Sequence, residues 1–119
     1  MQFSYFVGVD ISKDTLDAAL YPAKDRQKDF LHFDNTKKGL GEMMAWLKTL
    51  GVKRSDLLIC AEYTGVYTNT LIEFADRKGI ALSLNSPLDI KRSIGLVRGK
   101  NDGVDAARIA EFAYRRREN

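Results

Sequence analysis

The chain has 119 residues, 45% of them hydrophobic and 29% charged, which suits one soluble-type globular domain with a single core. Nineteen Lys and Arg against 16 Asp and Glu give a net charge of +3, a mild basicity that permits a nucleic-acid partner without demanding one. The lone cysteine, Cys60, excludes an internal disulfide, and no apolar run is long enough to cross a membrane.

Taken in chain order, Phe3 to Val9 reads as a central strand, apolar on both faces, and Asp10 stands where the apolar run ends. ISKD supplies a turn, and TLDAALY alternates as a half-buried strand with Leu16, Ala18 and Leu20 on one face. Pro22 and the polar residues after it turn the chain into a third strand, KDFLHFDN, which completes an antiparallel meander. His32 falls on this edge strand and is expected to face solvent, away from the acids.

Asn35 or Thr36 caps the next element, a helix with Leu40, Met43, Met44, Leu47 and Leu50 at helical spacing, which Gly51 ends. DLLICAEY is a second fully apolar run, predicted to be a strand parallel to the first because a helix leads into it. Cys60 lies inside it and reads as a core thiol. TGVYTNTLIEFADRKG predicts a helix capped by Thr64 and closed by Gly79, with Tyr67, Leu71, Phe74 and Ala75 inward. IALSLN is a fifth strand, and Ser86 with Pro87 starts a short helix. After the basic, Gly-rich GLVRGKNDG, a last helix runs from about Val104. It ends in the charged, uncapped AYRRREN, which suggests a domain cut from a longer protein. The order is βββ-α-β-α-β-α with a further helix: a five-stranded mixed sheet of the α/β class, in the ribonuclease H-like arrangement, over residues 1–119.

Four acids stand out. Asp10 ends the first strand and Glu62 the fourth, in the same register relative to their apolar runs. Parallel neighbours would bring the two carboxylates roughly 5 Å apart, into one crevice. Asp102 and Asp105 project onto the stripe of Ile109, Phe112 and Ala113, the inward side of the last helix. Each acid alone has an ordinary reading: a turn residue at Asp10, a helix-dipole partner at Glu62, an N-cap and a first-turn acid at Asp102 and Asp105. Together they suit two Mg²⁺ or Mn²⁺ ions about 4 Å apart, the arrangement for phosphodiester displacement. Lys13, Arg98 and Lys100 lie where phosphates would approach. Tyr63 and Tyr67 follow Glu62 closely enough to line the crevice.

GVDISKDTLDAAL, AEYTGVYTNTL, NSPLDIKRS and KNDGVDAARIAEFA, in this order and spacing, resemble the N-terminal domain of the DEDD transposases. These are bacterial insertion-sequence recombinases related to the Piv DNA invertase. The resemblance covers about Phe6 to Tyr114 and implies a RuvC-like domain whose four acids fall on Asp10, Glu62, Asp102 and Asp105. It implies Mg²⁺ or Mn²⁺ as cofactor, and DNA strand cleavage and exchange as activity. The implied partners are DNA, a guide (bridge) RNA and further copies of the full-length chain; the lone cysteine and the lack of a secretory signal point to the cytoplasm. Family members also carry a C-terminal domain with a nucleophilic serine, a role none of the serines here matches. Asn101 stands where the family often has Thr, and GV fills the gap between the last two acids.

Two other functions remain open at this stage. A non-catalytic RNA or DNA docking module would use the same fold without metal. An actin-like ATPase or sugar kinase also opens with a Gly-x-Asp strand, but RGKNDG lacks the spacing of a phosphate loop.

Overall fold

A computed structural model describes residues 3–22 and 29–85, and residues 106, 107, 109–111 and 114 near the C-terminus. The elements are β1 (Tyr5–Ile11), β2 (Thr15–Tyr21), β3 (Phe30–Asp34), α1 (Lys37–Thr49), β4 (Leu57–Glu62), α2 (Asn69–Lys78) and β5 (Ala81–Asn85). They form one five-stranded sheet in the order β3-β2-β1-β4-β5. β1 pairs antiparallel with β2 and β2 with β3, while β4 pairs parallel with β1 and β5 with β4. This is the predicted mixed sheet, with the first strand at its centre. The short helix expected after Ser86 lies outside the described residues.

The two faces of the sheet are separated by the period of two along each strand. Val7 and Val9 of β1, Leu16, Ala18 and Leu20 of β2, and Leu57, Ile59 and Ala61 of β4 share one face. There they form the main core with Leu40, Met43 and Leu47 of α1 and Leu71, Phe74 and Ala75 of α2. Phe6, Cys60 and Ile109 cluster on the other face, against Leu58 and Tyr114. The described residues of 106–114 are helical and supply that second cover. β2 is therefore buried on both faces over Leu16–Leu20, not half-buried as its alternation predicts. Burial of Asp17 and Ala19 makes the difference.

Local signals explain the helix ends. The Thr36 side chain accepts a hydrogen bond from the Gly39 N–H at 3.0 Å, so Thr36, not Asn35, is the cap of α1. Gly51 and Gly79 follow α1 and α2 in left-handed conformation, φ 78° and 66°, which a side chain would resist. The helix predicted from Thr64 is divided. Residues Gly65–Thr68 form a 3₁₀ turn before α2 begins, and Thr64 makes no side-chain cap. Instead the Thr64 N–H donates to Thr68 Oγ1 at 2.9 Å. The tighter winding moves the stripe out of phase. Thr68 is buried and Tyr67, expected inward, is 43% exposed.

Gly8 sets how closely the C-terminal helical segment approaches. A Cβ there would overlap the Ala106 carbonyl oxygen and the Ala110 nitrogen. Tyr114 meets Phe6 edge-on at 5.6 Å and Tyr21 at 4.7 Å. The segment thus passes from Gly8 toward the start of β1, antiparallel to it. Gly8→Ala should cost about 1–3 kcal/mol by overpacking, read as a lower urea midpoint. Gly41→Ala in α1, where a Cβ would meet nothing within 4 Å, should be neutral or stabilise by up to about 1 kcal/mol.

Candidate functional site

The parallel ladder runs Tyr5↔Leu57 to Val9↔Ala61, so the next step sets Asp10 beside Glu62. Paired residues of a parallel ladder share a face, and this pair falls on the face of Gly8 and Cys60. Both acids are half-buried. The antiparallel ladders extend the row: Asp17 is opposite Asp10, and His32 is opposite Asp17. On the other side Asn85 pairs with Glu62. One line of polar residues, His32–Asp17–Asp10–Glu62–Asn85, therefore crosses all five strands at one level. The level below it is Phe30, Ala19, Gly8, Cys60 and Ser83.

Sequence reasoning found Asp10 and Glu62 but not Asp17, which is 8% exposed. The signal was the turn length. Ser12 N–H donates to the Thr15 carbonyl at 2.9 Å, closing a two-residue hairpin at Lys13 and Asp14 that fixes Asp10 against Asp17. His32 is not remote from the acids: its Nδ1 donates to Asp17 Oδ1 at 2.7 Å. Its side chain is still 62% exposed, in keeping with an edge strand.

Lys13 is exposed on the turn that follows Asp10. Asp102, Asp105, Arg98 and Lys100 lie outside the described residues. After Glu62, Tyr63 is 52%, Val66 69% and Tyr67 43% exposed, so the segment that follows β4 presents apolar and aromatic side chains to solvent. No group of three His, Cys, Asp or Glu able to hold a metal ion occurs among the described residues. A cavity of about 700 Å³ lies elsewhere, lined by Lys37, Met44 and Lys48 of α1 and Phe74 and Lys78 of α2. Those helices cover the opposite face, and no residue of the polar row lines it.

The loops that leave the two central acids are tied together by Asn35. Its Nδ2 donates to the Ser12 and Tyr67 carbonyls, each at 2.9 Å. Its backbone N–H donates to the Asp14 carbonyl at 2.9 Å. Asn35→Ala removes the two side-chain bonds and should cost about 1–3 kcal/mol. Amide exchange should quicken in residues 12–14 and 64–68 more than in the strands.

Below Glu62, burial pushes the Cys60 thiol up to about 11, although a hydrogen bond from Asn85 works the other way. That bond, Asn85 Nδ2 to Cys60 Sγ, spans 3.3 Å. The thiol stays protonated at neutral pH, as a core residue and not a nucleophile. Alkylation of the native chain by iodoacetamide should stay slow from pH 7 to 9 and become fast only on unfolding.

Residues 7–119 match a transposase family, that of the DEDD, IS110 type. No curated protein matches the chain. Among solved structures the chain is similar to RuvC of T. thermophilus in complex with a Holliday junction substrate. The TM-score is 0.54 at 12% identity, over 93% of this chain and 94% of that one. A second Thermus thermophilus RuvC structure gives 0.53 at 12% identity, over 93% and 95%. At such identity the likeness speaks for the fold, which is RuvC-like and of the ribonuclease H class. With the central strand, the parallel β4 and the family match in agreement, the chain belongs to the DEDD transposases of the IS110 type.

Proposed function

We propose that this chain is the metal-dependent strand-cleaving and strand-exchanging domain of a DNA transposase, with Asp10, Glu62, Asp102 and Asp105 as its acids. The observation that carries the reading is the parallel ladder that sets Asp10 beside Glu62 on one face. A second observation supports it. Ala106 packs over Gly8, two residues before Asp10 and on the same face, so the C-terminal helical segment reaches the face that carries Asp10 and Glu62.

The donor set fits Mg²⁺ or Mn²⁺, since carboxylate oxygens are the ligands such hard cations take. When bound, a pair of these ions supplies charge for the leaving oxygen and an activated hydroxyl or water for attack. The chain's own residues do the rest. Asp10 and Glu62 present their oxygens from adjacent strand ends, positions that the backbone holds without reorganisation. Lys13, with Arg98 and Lys100, neutralises phosphates of the incoming strand and so positions it without reading sequence. The exposed rings of Tyr63 and Tyr67 offer faces on which unpaired bases stack.

DNA is thus the substrate, with a guide RNA and further copies of the full-length chain as partners. Among the described residues no helix is long and apolar enough to cross a membrane. We place the protein in the cytoplasm, where DNA and a free thiol are both at home.

Calorimetric titration of Mn²⁺ into the chain tests the site. Saturable binding is expected, weakened about 100-fold or more in Asp10→Asn and Glu62→Gln, because losing an inner ligand exceeds the 10–100-fold typical of outer partners. DNA binding that persists with no Mn²⁺ binding in the unsubstituted chain would instead favour a docking module.

A further inference from the structure

Asp17 has no part in the four-acid site, yet it is costly where it stands. It lies in the middle of β2, more than nine-tenths buried, directly opposite Asp10. Like charges directly opposite each other destabilise a sheet. The hydrogen bond from His32 accounts for Oδ1. Oδ2 is also buried, and no donor among the described residues reaches it. A buried acceptor without a donor is costly, more so when charged. A purely structural pair with an exposed histidine explains one oxygen and leaves the other unexplained, and pairs with an exposed partner stabilise little.

Direct ligation by Asp17 is not needed, because the four acids of the proposed site already supply the carboxylate oxygens that divalent cations take. A hydrated cation gives a better account. Mg²⁺ gives up its waters reluctantly and keeps several of them when bound by carboxylates. Those waters would be strong donors, and Asp17 Oδ2 is a buried acceptor on the strand position directly opposite Asp10.

We propose that Asp17 is a positioning residue for the cation site: Oδ2 accepts a hydrogen bond from a water of the bound ion. His32 fixes the rotation of the carboxylate through Oδ1. The ligand class is a hydrated divalent cation, and the role rests on the metal-dependent reading above. Asp17 holds the water shell, and through it the ion, toward the β2 side of Asp10.

The test is Mn²⁺ titration by calorimetry, with water-proton relaxation of the bound ion, in the unsubstituted chain and in Asp17→Asn, His32→Ala and Asp10→Asn. Asn keeps the shape of Asp17 but exchanges an acceptor for a donor. Asp17→Asn should weaken Mn²⁺ binding roughly tenfold, as outer partners do, and change the relaxation of the bound waters, with the cooperative melt retained. His32→Ala, on the exposed edge strand, should weaken binding in the same direction by a smaller factor even if Asp17→Asn fails to fold. Unchanged affinity and relaxation in the variants that fold, with Asp10→Asn still disrupting binding, would overturn the role of Asp17 and leave the metal site intact. An unsubstituted chain that binds no Mn²⁺, or binds it equally well as Asp10→Asn, would overturn the metal reading and this role with it.

Discussion

The polar end of this sheet depends on one ladder, the parallel pairing of β1 with β4. Its register puts Asp10 beside Glu62, and a slip of one residue would send one of them to the other face. The apolar residues hold that register. Val7, Val9, Leu57, Ile59 and Ala61 are all fully buried against α1 and α2, and none could turn outward cheaply. The acids are therefore aligned by packing on the opposite face, without any need to attract each other. A carboxylate pair that would repel in isolation is held together by hydrophobic burial behind it.

The flanking elements refine that alignment. The two-residue turn at Lys13 and Asp14 fixes the β1–β2 register as firmly as the core fixes that of β1 and β4. The missing Cβ of Gly8 lets the backbone near Ala106 and Ala110 touch the centre of the sheet. Any side chain in the β region could serve the strand at position 8, so its small size answers to the helix, not to strand geometry. Asn35 then joins the turn after Asp10 to the turn before α2. Three local devices thus converge on the end of two strands.

Most of this was legible because strand period and apolar runs are strong signals. YFVGVDI and LLICAE had to be central, and a helix between them had to make them parallel. What failed was of two kinds, one local and one set by strand pairing. Thr64 looks like a cap, but its N–H is taken up by Thr68 Oγ1, and the resulting 3₁₀ turn takes Tyr67 off the core stripe. Asp17 was missed because one acid in TLDAALY resembles the solvent side of an alternating strand. Only the hairpin register shows it to be opposite Asp10, and only the third strand brings His32 to it. Long-range pairing, not propensity, decided both residues. Asp102 and Asp105 rest on the sequence and the family, since they lie outside the described residues.

Charge explains why the row sits where it does. Asp10 and Glu62 are half-buried at strand ends, where water still offsets much of the desolvation that a carboxylate suffers in a core. The backbone there is rigid while the side chain remains reachable, which suits the cation ligands we propose. Asp17 is different, being buried, opposite another acid and only half satisfied. An apolar residue at position 17 would extend the second core beside Ala19 and avoid that cost. Proteins give up stability of this kind mainly where function needs the group. The residue of the row least favoured by folding is therefore the one we propose to act on the water shell of a bound ion.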